Sequence, residues 1–435
     1  MNILIITHYY EIDGVMGSVR WTSLAHRLSK KHNVYIVTHA HQNIVKQDED
    51  SGKNIKVIYI DNECGYAKRS FSKSSSSAKS SAVSISNKRR KKNFIKSIIK
   101  SSLYMMSMRL TSFKNAEYIC RQLEEEKVKF DCVISTSRPF INCFTAFNVV
   151  KKWKIPWLLD QRDLPYTDGT PKSEINAYKY ALRRFDKFVS KYTLVSKGMA
   201  DSFIEFCKFG KKQEDKTVVL NNGYDTTHKS ELEDRAYEPV LSIAYAGDLY
   251  EGKRDATILF DALNEVMKDD EFSVSDVRIK YAGGSSKSLV NKAKEHGFEE
   301  MIVDYGRVPH KEAIKMQQEA DLLLLLTWNT YMDRGILPGK LYEYMMAKKP
   351  IVCITSGEIP NGEAEGMINS MNLGVAVNYI DYDEGVKKLA SFISKQLLNK
   401  KQNKPIEYSP DENKVSQFDY DNLVKKLESI MFGDL

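Results

Sequence analysis

The sequence predicts an α/β fold of two doubly wound, Rossmann-like domains facing across a cleft. Three observations carry that expectation. Apolar runs of four to seven residues alternate with longer amphipathic stretches from one end to the other, the pattern of parallel sheets wrapped by helices. At 435 residues the chain exceeds the size at which a single core keeps growing, and its 42% hydrophobic content is enough to pack two. A polar stretch from Thr226 to Pro239 divides the apolar runs into two series.

The first series places strands at Ile3–Thr7, Val34–Thr38, Val57–Ile60, Cys132–Ser135, Trp157–Asp160, Lys191–Val195 and Thr217–Leu220, and the turn Asn221-Asn-Gly-Tyr224 closes it. Residues 1–238 form this first domain. The second series reads Leu241–Gly247, Val277–Gly283, Met301–Tyr305, Asp321–Leu326 and Ile351–Ile354, within a second domain of residues 239–410. In the remaining segment, 411–435, the amphipathic stretch Val415 to Met431 is long enough to cross back over the first domain. No internal repeat occurs, nor any apolar run of about twenty residues.

The formal net charge of +8 is concentrated in one place. Between Glu63 and Glu117 no acidic residue occurs while thirteen Lys and Arg do; setting those aside leaves 52 of the 65 cations against 57 Asp and Glu. The rest of the chain is slightly acidic, which argues against a general nucleic-acid partner. Cysteines at 64, 120, 132, 143, 207 and 353 show neither paired nor metal-ligand spacing, and Met1-Asn-Ile-Leu-Ile-Ile-Thr7 reads as a strand rather than a signal peptide. A reducing, cytoplasmic compartment is expected, with no metal site and no cofactor.

In doubly wound sheets ligands sit beyond the carboxyl ends of the strands, so the strand–helix loops hold the candidate chemistry. The segment Gly335-Ile-Leu-Pro-Gly-Lys-Leu-Tyr-Glu-Tyr-Met-Met-Ala-Lys-Lys-Pro-Ile351 follows the five-leucine run Leu322 to Leu326 and opens a short helix. Its first turn offers free N–H groups, a cation and a carboxylate, which together suit a nucleotide diphosphate. Lys340 can meet phosphate, and Glu343 can accept two ribose hydroxyls. Pro350 then turns the chain into the next strand. Gly247-Asp-Leu-Tyr-Glu-Gly-Lys-Arg254 adds the adjacent cations Lys253 and Arg254, suited to a diphosphate leaving group.

Other loops contribute less specific signals. His8 to Arg20 carries Gly14 and Gly17, where backbone can approach a substrate closely, but it lacks a dinucleotide fingerprint. Asp160-Gln-Arg-Asp163 sets two carboxylates around Arg162 at a strand end, fitting either substrate contact or a structural ion pair. Ala282-Gly-Gly-Ser-Ser286 and Tyr305-Gly-Arg-Val-Pro-His310 place Gly283 and Arg307 where a nucleobase can be flanked. Asp381-Tyr-Asp383 and Asp419-Tyr-Asp421 match a metal-binding Asp-x-Asp pattern but lie late in the chain and read as helix starts.

Four ordered segments, Trp157-Leu-Leu-Asp-Gln-Arg-Asp163, Leu220-Asn-Asn-Gly-Tyr-Asp225, Tyr245-Ala-Gly-Asp-Leu-Tyr-Glu-Gly-Lys-Arg-Asp255 and Leu337-Pro-Gly-Lys-Leu-Tyr-Glu-Tyr344, resemble the GT-B glycosyltransferases over essentially the whole chain. The resemblance is to glycosyltransferase family 4 and its bacterial surface-polysaccharide enzymes. It implies transfer of a sugar, with retention and without a metal, from a UDP- or GDP-sugar held mainly by the second domain to an acceptor held mainly by the first. Lys253, Arg254 and Lys340, with Arg162 and Asp163, would then serve the reaction centre. Glu343, Gly339, Leu337, Ile336, Gly335, Gly17, Gly14, Arg307 and Gly283 would bind the donor, and Arg20, Arg138 and Asp160 the acceptor or sugar. One departure stands out. The family usually carries a second glutamate eight residues before the ribose-binding one, and here that place is Gly335, with Asp333 or the N–H groups of Ile336 and Leu337 as substitutes.

The basic segment, an insert of about residues 66–115, reads as a serine-rich loop, Ser70 to Ser86, followed by Asn87-Lys-Arg-Arg-Lys-Lys92 and an amphipathic helix from Phe94 to Leu110. Ile95, Ile99, Leu103, Met106 and Leu110 share one face, with Lys96 and Lys100 roughly opposite. An interfacial helix on an anionic membrane, serving a lipid-linked saccharide acceptor at the inner face, is expected; the other reading packs the stripe against the first domain. Alternative activities are a nucleotide-sugar epimerase or a phosphorylase of the same architecture, or a catalytically silent assembly partner.

Overall fold

The computed structural model describes residues 1–12, 16–39, 54–60, 87–166, 170–226, 238–331 and 333–433. Two compact units emerge, one of Met1–Val195, Ala200–Leu220 and Val424–Leu435, the other of Ser196–Met199 and Asn221–Leu423.

In the first unit seven strands, β1 (Asn2–Ile6), β2 (Asn33–His39), β3 (Ile55–Ile60), β4 (Cys132–Thr136), β5 (Trp157–Gln161), β6 (Val189–Leu194) and β7 (Thr217–Val219), form one sheet in the order β3-β2-β1-β4-β5-β6-β7. Every pairing is parallel; Leu4, for example, lies opposite Tyr35 on one side and Val133 on the other. The end of the chain packs in this unit, where Leu427 is fully buried and Glu428 meets Lys31 and His32, each at 3.0 Å.

The second unit repeats the scheme with β8 (Leu241–Ala246), β9 (Val277–Ala282), β10 (Ile302–Asp304), β11 (Leu322–Trp328), β12 (Ile351–Ser356) and β13 (Gly374–Asn378), ordered β10-β9-β8-β11-β12-β13 and parallel throughout. The leucine run explains itself here. Leu322, Leu324 and Leu326 enter the core under helices Thr257–Val266 and Tyr382–Lys401, while Leu323 and Leu325 enter the opposite core under Gly339–Ala347 and Glu363–Ser370. A strand covered on both faces has no solvent side, so alternation disappears from its sequence.

The strand β13 is absent from the sequence-based expectation. Its apolar stretch is only Val375-Ala-Val377, too short to stand out, and pairing with β12 from Ile351↔Gly374 to Thr355↔Asn378 makes it a strand. Both Asp-x-Asp matches sit at helix starts as expected: Asp381 precedes Tyr382–Lys401, and Asp419, which precedes Tyr420–Phe432, accepts from the Asp421 N–H at 2.9 Å. Cys120, Cys132, Cys143, Cys207 and Cys353 are buried free thiols.

The basic insert contains a longer helix than periodicity suggests, Asn87–Glu125, of 39 residues. Its C-terminal two-thirds buries Met105, Met108, Ala116, Ile119 and Leu123 against helices Ile141–Trp153 and Lys172–Phe185. The expected stripe faces away from that contact: Ile99, Leu103, Met106 and Leu110 are 54%, 62%, 59% and 56% exposed, and Phe113 extends the row at 52%. The side chain of Ile95, the basic run at 88–92 and the serine-rich loop lie outside what is described.

Candidate nucleotide-sugar site

In the second unit the sheet order reverses between β8 and β11, so the carboxyl ends of these strands and of β12 frame a crevice where a doubly wound sheet places its ligand. Lys340, in the first turn of helix Gly339–Ala347, sends its ammonium across the end of β8, with Nζ 4.8 Å from the centre of the Tyr245 ring. Gly247 makes that path possible, since a Cβ there would collide with Nζ; its φ of +138° also disfavours a side chain. Arg254 reaches the same tyrosine from the other direction. Its NH1 donates to the Tyr245 hydroxyl at 3.2 Å and to the Asp248 carbonyl at 2.9 Å, while its guanidinium lies 4.6 Å from the Tyr250 ring centre and 5.6 Å from that of Trp328.

Two cations thus meet at one tyrosine, and among the described residues no carboxylate forms an ion pair with either. Burial and, second, the neighbouring Arg254 charge lower the Lys340 pKa to about 7. The Arg254 Nε is buried without a hydrogen-bond partner. An uncompensated pair of this kind is costly unless an anion arrives.

Glu343, one turn after Lys340, is held at both oxygens. His310 bonds Oε1 and the Gln317 amide donates to Oε2, each at 3.1 Å. Burial alone would raise the Glu343 pKa, but these hydrogen bonds and the nearby charges outweigh it and keep the group below the usual carboxylate range. It is therefore an anion with oriented acceptor lone pairs. His310 and Gln317 were not singled out from sequence, although both lie on helix His310–Glu319 seven residues apart and hence on one face.

The remaining second-unit candidates take distinct positions. Gly283 packs where a Cβ would strike the Gly247 carbonyl and the Tyr281 hydroxyl, and its N–H donates to Gly306 at 2.8 Å. The Arg307 side chain is 81% exposed and 3.8 Å from Asp248. Leu337 is buried, Ile336 half-buried, and Gly339 begins the Lys340 helix behind Pro338. At Gly335, φ is +67° and a Cβ would come 2.6 Å from Gly198 Cα and 2.8 Å from Ser196 Oγ, which donates to the Gly335 carbonyl at 2.6 Å. No glutamate fits this backbone, which is a steric reason for the departure from the family pattern.

In the first unit the structure gives Arg20 and Asp160 to each other. Both are fully buried; Arg20 donates to Asp160 at 3.2 and 3.0 Å and to the Leu220 carbonyl at 3.0 Å, and Trp21 and Thr193 each add a 2.8 Å bond to the carboxylate. With no exposed surface the two side chains form a closed ion pair. Arg162 instead lies across the first turn of helix Met16–Leu28, where a Cβ at Gly17 would come 2.7 Å from NH1. Arg138 donates to the Tyr166 carbonyl at 3.0 Å and lies 3.9 Å from the half-exposed Asp163. Gly14 falls outside the described residues.

No curated protein matches the sequence. Among solved structures, a lipopolysaccharide outer core galactosyltransferase WaaB in its apo form is 14% identical with a TM-score of 0.56, covering 100% of both chains. Anabaena Alr3699/HepE in complex with UDP is 12% identical with a TM-score of 0.57 over 99% of each. OtsA in its apo form is 10% identical with a TM-score of 0.62 over 100% of each. The chain thus has the GT-B fold, and its residues 241–392, which hold the Lys340, Arg254 and Glu343 cluster, match the family described as glycosyl transferases group 1.

Proposed function

We propose that this protein is a retaining, metal-independent glycosyltransferase that moves one sugar from a UDP- or GDP-sugar to a lipid-linked saccharide acceptor in surface polysaccharide or glycolipid synthesis. The observation that carries the reading is the convergence of half-buried Lys340 and buried Arg254 on Tyr245 beside an oriented Glu343. The family match and the UDP bound to a structural neighbour support a nucleotide donor. In this reading Lys340 and Arg254, with Lys253, neutralise the departing diphosphate, and Glu343 accepts from the two ribose hydroxyls. Preorganised cations in a partly dry site stabilise charge that appears only as the glycosidic bond breaks. In this reading Arg162 and Asp163, which follow β5 of the first unit, serve the reaction centre, and Arg138 the acceptor or sugar.

Glu343→Ala removes a charged acceptor whose hydrogen bonds contribute about 1.5 to 3 kcal/mol, so UDP or GDP affinity is expected to drop roughly 10- to 150-fold by calorimetry. Affinity unchanged within twofold would refute the ribose role. Donor consumed without acceptor would instead identify an epimerase.

Membrane docking at the cytoplasmic face rests on the helix Asn87–Glu125. Its stripe from Ile99 to Phe113 is exposed in a segment with thirteen cations and no acid between Glu63 and Glu117, and no helix of the described residues is long and apolar enough to cross a membrane. Apolar insertion and cation attraction to anionic lipid add, at about 1 kcal/mol per Lys or Arg near the surface. Replacing Leu103→Glu and Leu110→Glu together, both more than half exposed, is expected to release the protein from phosphatidylglycerol vesicles in a flotation assay while thermal stability holds. Undiminished flotation would exclude this face.

A further inference from the structure

Beside the two cations stands an aromatic wall that the diphosphate reading leaves unused. Trp328 ends β11, and its ring centre lies 5.6 Å from that of Tyr250, which is 53% exposed. Arg254 sits 5.6 Å from the Trp328 centre and Lys253 Nζ 5.9 Å from it. One edge of the wall carries a fixed carboxylate: Trp328 Nε1 donates to Asp333 Oδ2 at 3.1 Å, leaving Oδ1 without a partner among the described residues.

The loop that holds Asp333 is built rather than loose. The Asp333 N–H donates to the Thr330 carbonyl at 3.2 Å and to its hydroxyl at 3.1 Å, and the Thr330 N–H returns a bond to Asp333 at 3.3 Å. Asn329 and Tyr331 tie the same turn to the loop after β12 through the Ile359 carbonyl and the Glu358 carboxylate, each at 3.1 Å. Gly335 follows, with no room for a side chain.

We propose that Trp328, Tyr250 and Asp333 form the donor-sugar subsite, and that it selects a neutral sugar over a uronic acid. The inference rests on the diphosphate reading above. A sugar joined to a phosphate held by Lys253 and Arg254 comes within reach of the Trp328 ring, whose flat apolar face complements the C–H face of a pyranose. A carboxylate at Asp333 offers only acceptors, so it bonds a sugar hydroxyl or amide N–H and repels a sugar carboxylate. Trp328 Nε1 acts as a positioning group, keeping Oδ1 turned outward. Asp333 thereby takes over hydroxyl recognition from the carboxylate that Gly335 cannot supply, one turn of loop earlier in the chain.

The test measures Kd for UDP, GDP, UDP-glucose, UDP-N-acetylglucosamine, UDP-glucuronate and GDP-mannose on the unaltered full-length protein and on Asp333→Asn and Trp328→Phe. At least one neutral nucleotide sugar is expected to bind more tightly than its own diphosphate, and UDP-glucuronate more weakly than UDP-glucose. In Asp333→Asn the sugar advantage falls at least tenfold and the discrimination against glucuronate shrinks, while UDP and GDP stay within twofold. Trp328→Phe keeps an aromatic face but releases the carboxylate, so it follows in the same direction. Equal losses for diphosphates and nucleotide sugars, no loss for either, or no sugar advantage in the unaltered protein would overturn the subsite. Failure of the unaltered protein to bind either UDP or GDP would instead remove the donor reading on which it stands.

Discussion

Replacing Lys340→Met is expected to lower kcat/KM by roughly 10²- to 10³-fold while raising the melting temperature. The two effects share one cause. Lys340 is half-buried beside Arg254, and its pKa of about 7 means that its charged form is poorly solvated in the free protein. A methionine of similar length fills the space without that cost, whereas losing a preorganised cation at a developing diphosphate costs about 2.7 to 4 kcal/mol of transition-state stabilisation. Stability and activity should therefore move in opposite directions.

The sign of the pH dependence follows. The folded pKa lies below the unfolded value, so between about pH 7 and 10.5 the unfolded chain binds more protons at this site and stability contributed through Lys340 rises with pH. Diphosphate binding works against that gradient, since the anion favours the ammonium form. Affinity is expected to fall as pH rises above about 7, approaching tenfold per unit, with uptake of up to one proton per diphosphate bound. Titrations at pH 8 in buffers of different ionisation enthalpy read the proton directly. Uptake that persists in Lys340→Met would assign it elsewhere.

The second large effect concerns stability alone. Asp160→Ala is expected to destabilise the first unit by about 3 to 5 kcal/mol, because it strands the Arg20 cation at a fully buried position. The loss also removes acceptors from Trp21 and Thr193, whose donors have no water to turn to. Denaturant unfolding should show a lower midpoint, and a catalytic assay on the folded fraction at low temperature should show near-normal turnover. Lost turnover at preserved stability would mark Asp160 as a substrate contact.

The two network roles illustrate how far sequence could carry the site. Lys340 and Glu343 were readable because their function depends on short-range spacing: helix geometry puts both in the first turns beyond a buried strand whatever the rest of the fold does. Arg254 was readable from its place after β8, but not its wedged position between Tyr250 and Trp328. Arg20 and Asp160, 140 residues apart, looked like two separate polar groups at strand ends, and only the adjacency of β5 to the first helix revealed them as one closed pair. His310 and Gln317 carry no local mark as partners of Glu343, because that partnership is selected by helix packing.

By itself, the sequence determined the alternation of strand and helix, the division into two parallel-sheet units, and the loops where cations and a carboxylate meet the strand ends. Those features follow from hydrophobic period and chain direction, which act over a few residues. Tertiary structure alone decided which charges are buried against each other and which remain unmatched. It also decided that Gly335 has no space for a side chain and that the Ile99 to Phe113 row faces outward. The physical reason is range: propensity and period act along the chain, whereas desolvation, pairing and steric exclusion depend on neighbours that only folding brings within a few ångströms.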